Sequence, residues 1–152
     1  MRRCSLAGRS SRSSSARTRA VGQPSGSWFP LNGWVPSASS GLPFLVTASS
    51  LRNQKAGLVF YGFGAQAVPF QGGTMCVAAP TRRTPVQVSG GSALPANDCT
   101  GSFALDFNAW IQSAVDPALG AGADVDAQHW SRDPGAAANT GLSDAIHFRI
   151  RP

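Results

Sequence analysis

The chain has 152 residues, with 13 Lys and Arg against 7 Asp and Glu, and it holds 17 Gly and 11 Pro. That is room for one domain with a real core and not for two, and charged residues, at 13%, fall well below the roughly 25% usual in globular chains. Glu is absent and Lys occurs once, at Lys55, which argues against long helices and for short elements joined by turns.

The net charge of +6 is not spread over the chain. Arg2, Arg3, Arg9, Arg12, Arg17 and Arg19 all lie in the stretch "MRRCSLAGRSSRSSSARTRA", and the other basic residues balance the acids. The basicity therefore belongs to a tail and not to a folded surface, and no nucleic-acid partner is expected. So polar a stretch cannot bury enough surface to fold, and disorder is expected. It reads as a basic arm, a targeting peptide or a segment translated from upstream sequence with no role; the last is favoured. Arg2-Arg3 would suit the start of a signal peptide, but no apolar stretch of about 7–15 residues follows, so none is recognisable. "SWFPLNGWV" (Ser27–Val35) is broken by Pro30 and Gly33. No run of about 20 apolar residues exists for a membrane span. Residues 1–35 are read as a disordered Arg/Ser-rich tail and linker, and residues 36–152 as the domain.

Along the domain, "FLVTAS" (Phe44–Ser49), "GLVFYGF" (Gly57–Phe63) and "TMCVAA" (Thr74–Ala79) are short apolar runs suited to strands. "TPVQVS" (Thr84–Ser89) alternates, with Pro85 marking an edge or a strand start. "SFALDFNAW" (Ser102–Trp110) sets Phe103, Leu105 and Phe107 against Ala104, Asp106 and Asn108, and "ADVDAQHW" (Ala123–Trp130) alternates too. In "AIHFRIR", Ile146, Phe148 and Ile150 oppose His147, Arg149 and Arg151, the pattern of a half-buried strand. Gly72-Gly73, Gly90-Gly91, "LPAND" and "RDPG" mark turns. "DPALGAGA" (Asp116–Ala123) could hold one helical turn. The fold class is all-β, an antiparallel β-sandwich of about seven short strands.

The chemistry-bearing residues come in small groups. "QHWSRDPG" (Gln128–Gly135) reads as a strand end and a turn, with Asp133 capping the turn or pairing with Arg132. In strand phase, Trp130 shares a face with Asp126 and Gln128. Trp130 or Trp110 could stack on a sugar ring, with Gln128 alongside, or could simply be packed. Asp124 and Asp126 could offer carboxylate oxygens to calcium, but Gln128 and His129 depart from an EF-hand loop. Ser143, Asp144 and His147 are the residue types of a nucleophilic triad, without the turn motif that exposes such a serine. No Cys/His spacing suits a transition metal, and no cofactor is expected. Cys76 and Cys99 are either a disulfide, which would stabilise by roughly 3 kcal/mol and imply an oxidising compartment, or two unrelated thiols.

From about Pro36 onward the chain resembles a C-terminal module of large, secreted, uncharacterised bacterial proteins best known from planctomycetes. The matching pieces, in the family's order, are "PSASSG", "NQKAGLVFYGF", "PFQGGTMCVAAPTRRTPVQVSGG", "NDCTGSFALDFNAW", "AQHWSRDPG" and "LSDAIHFRIRP". The resemblance covers about three quarters of the chain and implies location and architecture, with no activity or ligand attached. Cys76 and Cys99 stand where that family has cysteines. Arg151 stands where the family usually has another cysteine, and "SGSWFPLNGWV" replaces a cysteine-bearing segment. Either that second pair was lost together, or residues 1–35 reflect a shifted start of a fragment. The expected role is a non-catalytic binding or structural module, the end piece of a larger exported protein, extracellular or at the cell surface. Its partner would be a polysaccharide or a cell-surface protein. A carbohydrate-binding module is the alternative, and a hydrolase the less favoured one.

Overall fold

A computed structural model of the protein describes residues 36–152; the expectations for residues 1–35 lie outside the described residues. The elements run β1 (Leu45–Leu51), β2 (Ala56–Gly62), β3 (Ala65–Phe70), β4 (Gly73–Val77), β5 (Arg82–Arg83), β6 (Gln87–Val88), β7 (Gly101–Asp106), α1 (Phe107–Gln112), β8 (Asp124–Arg132) and β9 (Thr140–Arg149). The described residues are all-β apart from α1, and every ladder between named strands is antiparallel.

The centre is a sheet in the order β5-β2-β8-β9, with β6 also paired to β2. β5 and β6 act as one interrupted edge strand. Between them the Thr84 hydroxyl both donates to Val59 O and accepts from Val59 N, each at 3.1 Å, so a side chain fills the gap in the ladder. The β1–β7 pair covers one face of this sheet and the β3–β4 hairpin the other. The described residues thus form a large antiparallel sheet with a two-stranded ribbon on each face.

Alternation decides which side chain goes where. Val59 and Tyr61 of β2, Val125 and Ala127 of β8, and Phe148 of β9 point toward β1 and α1, where Phe44, Val46, Phe107 and Ile111 close the main core. Phe107 and Phe148 meet edge to face at 5.1 Å, as do Phe44 and Phe148, a favoured aromatic geometry. Gly57 lies under Phe103: a Cβ there would meet the phenyl ring at 2.5 Å and Trp130 O at 2.7 Å, so only glycine lets β7 approach β2 this closely.

The structure departs from the sequence reading at three places. The run from Ser102 does not stay extended to Trp110. Asp106 is the last residue of β7, paired with Leu45, and it also caps α1, its Oδ1 accepting from Asn108 N at 3.0 Å and Ala109 N at 3.3 Å, as an N-cap carboxylate does. Helix continuation buries Phe107 and Ile111, which are four apart, on the core. At "DPALGAGA" the chain makes a turn, with Ala118 N donating to Asp116 Oδ1 at 3.1 Å. β3 was not expected as a strand. It pairs only with β4 and leaves Val68 and Phe70 exposed. Gln71 and Gly72, both with positive φ, form the two-residue turn into β4.

Candidate functional site

Trp110 projects from α1 at the flank of the core and is partly buried. Its indole N–H donates to Tyr61 Oη at 3.2 Å, and the Tyr61 hydroxyl donates to Asp116 Oδ2 at 2.9 Å. Arg82 Nε stands 3.0 Å from that same carboxylate oxygen. Burial pushes the Tyr61 phenol up to about 12, so it keeps its proton and remains a donor to Asp116. The chain of contacts fixes the plane of the indole. The ring borders an open groove of about 350 Å³, lined by Pro85, Gln87, Leu105, Asp106, Ala109 and Trp110.

The groove exists because the central sheet and the β1–β7 ribbon part company there. They are tied where Ser102 N donates to Ser89 O at 2.8 Å and Gln87 Nε2 to Ala104 O at 3.1 Å. Beyond that tie β7 turns into α1, and Pro85 and Gln87 face Leu105 and Asp106 across the gap. Asp106 Oδ1 is consumed by the helix cap and by Phe44 N at 3.1 Å. Asp106 Oδ2 and Gln87 Oε1 have no hydrogen-bond partner among the described residues.

The residues singled out in the sequence are not brought together. Leu58, Phe60 and Gly62 of β2 pair with Trp130, Gln128 and Asp126, so Trp130 and Gln128 sit on the hairpin face, opposite the face that carries Tyr61 and Trp110. Trp130 donates its indole N–H to Gln71 Oε1 at 2.9 Å at the hairpin tip, under the Arg132 guanidinium at 5.8 Å. Gln128 is 2% exposed. Its Nε2 donates to Thr74 O at 2.9 Å and Ser143 O at 2.6 Å, and its Oε1 accepts from Cys76 N at 3.1 Å. A ligand role for Gln128 is therefore corrected to a structural one: every polar atom of its amide is spent on backbone.

Asp133 caps its turn, accepting from Gly135 N at 3.0 Å, and its ionic partner is Arg52 and not the neighbouring Arg132. Asp124 faces Arg149 at 3.6 Å and Asp126 faces His147 Nδ1 at 3.0 Å, so both candidate calcium carboxylates are engaged by cross-strand neighbours. Ser143 Oγ accepts from His129 N at 3.0 Å and donates to Asp144 O at 2.7 Å, while His147 turns to Asp126. The serine and that histidine do not form a pair.

The expected Cys76–Cys99 bridge is corrected as well: Cys76 is a free thiol. β4 holds its N–H on Gln128, and its Sγ lies 3.7 Å from Thr74 O. Cys99 belongs to the β6–β7 loop, which Asn53 pins by accepting from Asp98 N at 3.0 Å. Different parts of the fold hold the two residues. Burial, then Asp144 and Asp126, push the Cys76 thiol up.

Sequence reasoning named Trp110 and missed its setting. Tyr61, Asp116 and the neighbouring pair Arg82 and Gln87 come from three separate segments of the chain, and no local spacing joins them to one another. No helix among the described residues is long and apolar enough to cross a membrane. Comparison of the chain with protein-family models, with curated proteins and with solved structures gave no match.

Proposed function

We propose that residues 36–152 form a non-catalytic binding module, the end piece of a larger exported protein, and that its ligand surface is the groove beside Trp110. One observation carries the reading: an indole locked by Tyr61 borders an open, mostly apolar groove with two acceptor oxygens left over. Binding sites commonly combine an apolar surface with a few placed polar groups. Pre-fixing the aromatic ring lowers the ordering cost of binding. The exported setting rests on the resemblance in sequence, and the Cys76–Cys99 pair no longer supports it.

The test is retention of the full chain on immobilised cell-envelope polymers and surface proteins, with Trp110→Ala and Trp130→Ala compared. Loss with Trp110→Ala alone supports the groove. Loss with Trp130→Ala alone moves the surface to the hairpin face. Turnover of any substrate that a single side-chain change abolishes would overturn the non-catalytic part of the reading.

A further inference from the structure

Given that the groove is the ligand surface, we infer that its ligand is a neutral sugar ring. The groove leaves only a few hydrogen-bonding valences open. Trp110 has spent its only donor on Tyr61, so what it offers a ligand in the groove is aromatic surface and no donor. Gln87 has spent its Nε2 on Ala104 O and keeps Oε1. Asp106 has spent Oδ1 on three backbone N–H groups and keeps Oδ2. The remaining lining side chains, from Pro85, Leu105 and Ala109, carry no polar atom.

The open side-chain valences are thus all acceptors, one of them a carboxylate oxygen, beside one aromatic surface. An anionic ligand meets a carboxylate and no donor from these side chains. A purely apolar ligand leaves two acceptors facing it without partners. A pyranose satisfies the set: its hydroxyls donate to Oδ2 and Oε1 while its C–H face lies against the indole. The groove's open side allows a ring within a longer chain to enter without a free end.

Asp106→Asn is the discriminating variant. Asn caps a helix about as well as Asp, so the cap on Asn108 and Ala109 survives while the free acceptor becomes an amide donor. The assay is affinity electrophoresis of the full chain through gels holding hydroxyethylcellulose, xylan or galactomannan. Gels holding alginate and a set of unstructured peptides serve as controls, and circular dichroism checks each variant's fold. The expected result is retardation by at least one neutral polysaccharide and none by alginate. Trp110→Ala abolishes it, and Asp106→Asn weakens it about tenfold. Retardation by none of the neutral polysaccharides, or Asp106→Asn behaving as wild type, overturns the inference. If peptides are instead bound in a way that needs Trp110, the groove reading stands and the sugar falls. If Trp110→Ala changes the binding of nothing that the chain retains, the groove reading falls with it.

Discussion

Arg52 places its Nε 3.5 Å from Asp133 Oδ1 with both side chains buried, at 6% and 12% exposure. The contact ties the end of β1 to the turn after β8. Arg52 Nη1 also donates to Asn97 O at 3.2 Å, which brings in the β6–β7 loop. Nε itself has no aligned hydrogen-bond acceptor, so its share of the contact is charge on charge. Asp133→Asn keeps an acceptor for Gly135 N but leaves a buried guanidinium without its counter-charge. Breaking a buried pair from one side costs about 3 kcal/mol or more. Removing the exposed partner in Asp124–Arg149 costs less than about 1 kcal/mol. Urea midpoints should fall clearly for Asp133→Asn and hardly for Arg149→Gln; equal midpoints would remove the special standing given to Arg52.

Gln128 holds the β3–β4 hairpin to the sheet through side-chain bonds to Thr74 O and Cys76 N. Gln128→Leu fills similar space and strands those two groups together with Ser143 O. Each buried polar group left unpaired costs roughly 1–3 kcal/mol. The expected outcome is lower global stability together with a local effect: faster hydrogen exchange in β3 and β4 than in β2 and β8. Uniform acceleration across all four strands would mean that the hairpin has no separate tether.

Alternation made β8 and β9 legible, because one face of each meets an apolar core and sets Val125 and Ala127, and Ile146 and Phe148, two apart. It misled at Asp106. Phe103, Leu105 and Phe107 keep a period of two straight through the strand end, and a lone Asp reads equally as a strand residue or a cap. β3 was hidden by Pro69 and by its exposed, unpatterned side chains. Gln128 was misjudged for a physical reason: a polar residue on the outer phase of a strand is taken as solvated, and nothing local announces that a hairpin will cover it. Trp110 was legible as an aromatic that could stack on a ligand. The groove was not, since its walls come from Pro85 and Gln87 on one side and from β7 and α1 on the other, which only the tertiary fold brings together.

Cys76 gives a direct check on the corrected bridge. In native protein without reductant its thiol should be alkylated by iodoacetamide, slowly, because burial and the nearby Asp144 and Asp126 disfavour the thiolate. Adding denaturant should speed the reaction. A linked peptide joining Cys76 to Cys99 in a non-reducing digest would refute the placement of β4.

His129 supplies the pH dependence. It is 3% exposed, stacked on Phe103 at 5.9 Å, and its Nε2 has no hydrogen-bond partner. Burial pushes its imidazole down from an ordinary 6.5 to about 4. In the unfolded chain the ring takes up a proton at about 6.5, and in the folded chain only near 4. Between those values the unfolded state binds more protons, so stability falls as the pH drops from about 6.5 toward 4. The full effect is about 3 kcal/mol. His129→Phe removes the titrating group and the unpaired nitrogen while keeping a flat ring against Phe103. The variant should match or exceed wild-type stability at pH 7 and lose much less of it at pH 4.5, as read from urea midpoints at the two values. The same acid loss in wild type and His129→Phe would place the acid sensitivity in the carboxylate pairs and not at this histidine.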